Sequence, residues 1–195
     1  MIPASTRAAV EFDFGFETFG EKKLCEMLDA AKDFVREMGI GATPRWLSLL
    51  GWSGTGKTHL ARGISRFFKA NASVYIDPET GARLSRRGGF IGWRKIVDHL
   101  RDGDYEIFHV ACDDWFVALD DIGAERTSDF SVSKLDQLID ARLGKWTVIT
   151  CNFTREQIAE HMDVRIASRL GRGKSVIVDN IAAFDYSTRS HEEVA

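Results

Sequence analysis

From residue 21 to residue 38, apolar side chains recur at Leu24, Met27, Leu28, Ala31, Phe34 and Val35. That spacing lines one face of a helix, with Gly39 and Gly41 as stop signals. The unbroken apolar run "WLSLL" (46–50) then reads as a buried strand, as do "SVYI" (73–76), "WFVAL" (115–119), "WTVIT" (146–150) and "SVIV" (175–178). Amphipathic patterns between them predict helices from Lys57 to about Lys69, Ile91 to Arg101, and Val132 to Leu143. Short apolar strands alternating with helices predict an α/β fold, a five-stranded parallel sheet covered on both faces. In such a sheet ligands bind at the carboxyl ends of the strands.

The chain of 195 residues fits one domain. The expected division is a flexible lead-in over 1–20, a core over 21–189 and a tail over 190–195. A net charge of −3 argues against a protein that coats nucleic acid wholesale, but binding follows the local field and a basic patch stays open. Cys25, Cys112 and Cys151 are an odd number at unrelated spacings, so neither a disulfide framework nor a zinc ribbon is suggested and a reducing cytoplasm is expected. No apolar stretch approaches the ~20 residues that span a bilayer, so no membrane partner is expected.

The chemistry concentrates after the first strand. Gly51, Trp52, Ser53, Gly54, Thr55, Gly56, Lys57 and Thr58 fit the pattern G-x-x-x-x-G-K-S/T, between a predicted strand and a predicted helix. Glycines let backbone N–H groups converge on phosphate oxygens, and the helix N-terminus adds partial positive charge. Lys57 is expected to reach the β- and γ-phosphates of ATP, and the Thr58 hydroxyl to ligate Mg²⁺. His59 adjoins this binding segment without a catalytic role of its own. A plain Gly-rich turn with a surface lysine would not need that strand and helix around it. "WFVALDD" supplies the acids such a site needs: Asp120 toward the metal and Asp121 to polarise an attacking water. The bland alternative is a polar strand cap opening a turn.

"LDDIGAE" (119–125), "TCNF" (150–153) and "RIASRLGRG" (165–173) carry a more specific signal, and "FETFG" precedes the first helix. Over roughly residues 16–189 these motifs resemble, in order, the AAA+ ATPase core of the DnaC/IstB-like family of helicase loaders and transposition helpers. The resemblance implies a three-layer P-loop NTPase of the AAA+ type that binds and hydrolyses ATP, slowly and under partner control. It places Asn152 at the sensor-1 position, where a neutral amide orients water; the alternative is an N-cap before "FTREQ". It places Arg169 at the arginine-finger position, acting on a neighbouring subunit and so implying homo-oligomers, with Arg165 one helical turn away on the same face. Glu125 and Arg126 fall within the signature without a clear role, and Arg189 is only a loose match to the family's ending. Unlike most such loaders, the chain has only about forty residues before its first strand, and no separate helical lid is visible.

The stretch 83–95 gathers Arg83, Arg86, Arg87, Arg94 and Lys95 around Phe90 and Trp93. Arg86, Arg87, Phe90, Trp93 and Arg94 are the candidate contacts to single-stranded DNA, arginines for phosphates and rings for bases. The alternative is core packing with a solubilising loop. The leading expectation is a helicase-loader core in DNA replication whose partner is a replicative helicase or other DNA-processing protein. The rivals are a transposase helper ATPase, a small-molecule P-loop kinase and a nucleotide-binding adaptor without turnover.

Overall fold

The computed structural model describes residues 12–40, 42–76, 80–124 and 128–178, with the side chain of Ile76 left out. In chain order the elements are α1 (Lys22–Gly39), β1 (Trp46–Gly51), α2 (Lys57–Phe67), a π-helical turn (Phe68–Ala72), β2 (Val74–Ile76), β3 (Arg83–Ser85) and β4 (Gly88–Gly92). They continue with α3 (Trp93–Arg101), α4 (Glu106–Asp113), β5 (Phe116–Ile122), α5 (Asp129–Ala141), β6 (Trp146–Cys151), α6 (Arg155–His161), α7 (Val164–Leu170) and β7 (Lys174–Val178). Five strands form one parallel sheet in the order β4–β5–β6–β1–β7.

Strands β1 and β6 are buried along their whole length, which is why they read as unbroken apolar runs. Alternate residues feed two cores. Leu47, Leu49, Trp146 and Val148 pack with Phe34 of α1 and Leu60, Ile64 and Phe67 of α2. Trp46, Leu50, Ile149 and Cys151 pack on the other face with Trp93, Leu135, Ile166 and Leu170. The result is a three-layer α/β fold with the five-stranded parallel sheet in the middle.

The structure corrects three expectations. "SVYI" is not in the main sheet: β2 pairs antiparallel with β3 in a separate hairpin. The fifth parallel strand is β4, inside the stretch expected to be loop and helix start. Its glycines hid it, and one of them is required: a Cβ on Gly88 would lie 2.3 Å from the carbonyl oxygen of Phe116 on β5. The lead-in is also not loose from Phe12 onward. Phe14 is buried against α2, where a Cβ on Gly63 would meet its ring at 2.6 Å, and Phe12 meets Phe67 edge-on at 5.4 Å. Residues 1–11 and the C-terminal part of the expected core and tail lie outside the described residues.

Two smaller features fix the strand ends. Ser128 caps α5 in a reciprocal capping box with Ser131. Arg142, fully buried, donates to the carbonyls of Ala111, Asp114 and Trp146 and to Thr147 Oγ1, tying the entries of β5 and β6 together. Burial lowers its pKa to about 10. No described helix is long and apolar enough to cross a membrane.

Candidate nucleotide site

The loop 51–58 leaves the carboxyl end of β1 and enters α2, and three glycines on it take left-handed φ values: Gly51 at 102°, Gly54 at 73° and Gly56 at 84°. Gly51 has a second reason. A Cβ there would stand 2.2 Å from the carbonyl oxygen of Val178 on β7. The loop's base is anchored by the Gly51 N–H donating to the Phe153 carbonyl at 3.1 Å and the Trp52 N–H donating to the Val178 carbonyl at 3.0 Å.

Lys57 folds back over this loop. Its ammonium donates to the carbonyls of Gly51, at 2.8 Å, and Trp52, and to Thr55 Oγ1 at 3.3 Å. Burial is the largest cause lowering its pKa, to about 8, against the raising influence of Cys151, Asp121 and Asp120. A buried cation held only by neutral oxygens, at a helix N-terminus whose first N–H groups lack helical acceptors, fits a phosphate group.

The metal-side residues also converge. Thr58 Oγ1 donates to Asp120 Oδ1 at 2.9 Å, and Thr150 Oγ1 donates to the same oxygen at 2.7 Å. With its proton on Asp120, the Thr58 oxygen keeps lone pairs free. A hydroxyl and a carboxylate in contact are the hard oxygen donors that Mg²⁺ takes.

Adjacent strand residues ordinarily point to opposite faces. Here the pairing of β5 with β6 shifts register between Leu119 and Ile122, and Asp121 takes φ +60°. Such an irregularity re-aims a side chain. Asp120 meets Thr58, while Asp121 lines the cleft over the loop and accepts from Asn152 Nδ2 at 2.7 Å. Thr150 holds this bend, accepting the Asp121 N–H at 2.8 Å. Burial, then the neighbouring Asp120 charge, pushes the Asp121 carboxyl pKa up, with Lys57 opposing.

The cleft encloses about 1010 Å³. It brings together Ser53, Gly54, Thr55, Gly56, Lys57, Thr58, His59, Asp121 and Asn152. Trp52 is exposed and outside the lining. His59 Nε2 lies 2.7 Å from the Phe14 carbonyl oxygen. Thr150, Arg62, Arg66 and Lys69 were missed from sequence. Only the three-and-four spacing of cations after the phosphate loop could have signalled the last three.

The remaining candidates are scattered. Arg169 is paired within its own chain, with Asp136 and, at 3.0 Å, Asp140 on α5. Arg165 pairs only with Asp163, two residues away, and its side chain is 71 % exposed. Two of the DNA candidates are spent on packing. Trp93 is wholly buried, so no base can stack on it. The Arg86 guanidinium lies between the rings of Tyr75 and Trp115, at 4.0 and 4.2 Å. Arg87 pairs with Asp114 at 3.3 Å and Arg94 with Asp98 at 3.9 Å, and Phe90 lines the cleft. Glu125, Arg126 and Arg189 lie outside the described residues.

This fold, with β1 between β6 and β7 in a parallel sheet, is shared with solved structures. The chain has the fold of an AAA+-type P-loop NTPase core. The replication initiator DnaA, in a structure bound to AMPPCP and single-stranded DNA, matches 94% of this chain and 55% of its own at 17% identity and a TM-score of 0.65. DnaI matches 89% of this chain and 91% of its own at 19% identity and TM-score 0.67. The DnaC helicase loader matches 88% of this chain and 99% of its own at 18% identity and TM-score 0.60. The chain spans about half the length of the first DnaA chains it matches, 55% and 54%. No family model and no curated protein sequence matches it.

Proposed function

We propose that this AAA+ core binds ATP·Mg²⁺ in the cleft over residues 51–58 and hydrolyses it slowly, as a helicase-loader core in DNA replication. The observation that carries the nucleotide reading is the bend at Asp120–Asp121, which turns two successive carboxylates toward one loop. ATP brings the phosphoanhydride bond and Mg²⁺ neutralises charge on its phosphates. Lys57 would hold phosphate oxygens, and Thr58 and Asp120 would hold the metal. Asp121 would take the proton of the attacking water, which the Asn152 amide orients beside it, as the water oxygen bonds to the γ-phosphorus and the bond from that phosphorus to the bridging oxygen of the departing ADP breaks.

The loader reading draws on the fold shared with the DnaI and DnaC helicase loader structures, together with the motifs at 119–125, 150–153 and 165–173. The partners proposed are a replicative helicase, single-stranded DNA, which one matched DnaA structure carries, and further copies of this chain. For contact between copies the more exposed guanidinium is that of Arg165, held only by the neighbouring Asp163 among the described residues, whereas Arg169 is engaged by α5.

The test compares Asp121→Asn with Lys57→Ala in ATP binding and steady-state phosphate release. Asp121→Asn is expected to bind ATP within about threefold of wild type and lose about a hundredfold or more in turnover. Lys57→Ala is expected to lose ATP binding. Wild-type turnover in Asp121→Asn, or wild-type ATP affinity in Lys57→Ala, would overturn the reading.

A further inference from the structure

The cleft does not end at the phosphate loop. Beyond His59 it continues along α2 and the π-helical turn, where Arg62, Arg66 and Lys69 line it together with Phe90 of β4. Steps of three, four and three residues from His59 put these cations in one file. At the rise of an α-helix the three cations span about 10 Å. Arg62, Arg66 and Lys69 are exposed. Among the described residues no carboxylate comes within ion-pair distance of any of the three. The Arg62 guanidinium lies 5.0 Å over the centre of the Phe90 ring, and the only carboxylate among the lining residues is Asp121, at the phosphate-loop end.

Like charges four apart on a helix destabilise it, and within the file only Arg62 has an offsetting contact among the described residues, with the Phe90 ring. The file's field is what remains to be explained. In a chain of net charge −3 it makes one wall locally positive. We infer that the file binds the sugar–phosphate backbone of a single-stranded nucleic acid, with phosphates on Arg62, Arg66 and Lys69 and a base against Phe90. A single line of cations suits one strand. A duplex sets its two strands either side of a groove ~12 Å wide and calls for cations on both walls, and here the facing wall carries an aromatic ring. The inference rests on the nucleotide reading of the same cleft, because the strand then passes beside Asp121 and Asn152 and its presence bears on hydrolysis. Of the basic-aromatic stretch 83–95, only Phe90 takes part.

The test is fluorescence anisotropy of a labelled oligo-dT with the full chain across a salt series, with self-association followed by sedimentation. Three phosphate contacts predict a slope of log K against log salt of about −2 for a single strand, or about a 20-fold loss of affinity between 50 and 200 mM salt. Arg62→Gln, Arg66→Gln and Lys69→Gln are each expected to flatten that slope by about 0.7 and, combined, to nearly abolish it. Phe90→Leu is expected to weaken binding without changing the slope. These exposed cations can be replaced without unfolding, which a thermal melt of each variant checks. No oligonucleotide binding by wild type, or wild-type slope in the triple variant, would overturn the inference. So would tighter duplex binding through the same residues, or a triple variant altered only in self-association, which would mark the file as a contact between copies. ATP affinity of Lys57→Ala reports on the nucleotide reading separately, so the two can fail independently.

Discussion

Lys57 makes the site's most direct physical prediction. In the free protein burial holds its pKa at about 8, and a bound triphosphate restores a counter-charge and raises it toward the ordinary lysine value of ~10.4. The bound form therefore carries more protons than the free form between those values. ATP affinity is full below pH 8 and falls as pH rises above it, by at most about tenfold per unit. Fluorescent-nucleotide titrations from pH 7 to 9.5 check this, and a flat profile would contradict it. Folding stability takes the opposite sign. A lysine whose folded pKa lies below its unfolded one adds stability as pH climbs from about 8 toward 10.5. Thr150 makes a second residue-scale case. Thr150→Val removes the donor to Asp120 and the acceptor of the Asp121 N–H while keeping the side-chain shape. The orphaned groups cost about 1–3 kcal/mol of stability. Turnover should fall about 10- to 100-fold, as for other outer-sphere partners of a metal site, with ATP affinity within about threefold. Unchanged turnover would show that the bend at Asp121 holds itself.

At the scale of elements, the contact between residues 12–16 and α2 is the one that sequence periodicity could not reveal. Phe14 alternates with Phe12 and Phe16, but that spacing names no partner, because what Phe14 meets is a missing side chain, Gly63. Gly63→Ala is expected to cost about 1–3 kcal/mol by overpacking against the Phe14 ring. In combination with Phe14→Leu that cost should shrink, because the two share one space. Additive losses in denaturant melts would refute the coupling. The same reasoning explains what was legible. Strands β1, β5 and β6 are buried on both faces and so announced themselves as apolar runs, and edge strand β7 showed itself through "SVIV", whose Val176 and Val178 are buried. Edge strand β4 opens on Gly88 because β5 approaches its backbone there, and nothing in hydropathy marks the strand. The phosphate loop and its acids were legible because backbone curvature and hard-oxygen chemistry demand particular residue types. The bend that aims Asp121, the hydroxyl of Thr150 and the burial of Trp93 depend on register between distant strands, which no local pattern encodes.

At the scale of the whole molecule, the two arginines of α7 separate folding from assembly. Arg169 is 20 % exposed and joins α7 to Asp136 and Asp140 of α5. To reach another subunit it would have to leave two carboxylates unpaired, one of them only 23 % exposed, and such partly buried charges resist losing their partner. Arg165 gives up only a local, solvent-screened pair with Asp163 two residues away. If copies share a site across their contact, turnover per chain rises with protein concentration, and Arg165→Ala abolishes that rise while keeping the wild-type melting temperature. Arg169→Ala lowers the melting temperature, and turnover at a temperature where it stays folded still rises with concentration. The decisive comparison is phosphate release across a hundredfold range of protein concentration, with the melting temperature of each variant measured alongside. If Arg169→Ala folds like wild type and loses the rise while Arg165→Ala keeps it, the α5 pair is a resting place that Arg169 leaves on assembly, and the roles assigned here to the two residues exchange.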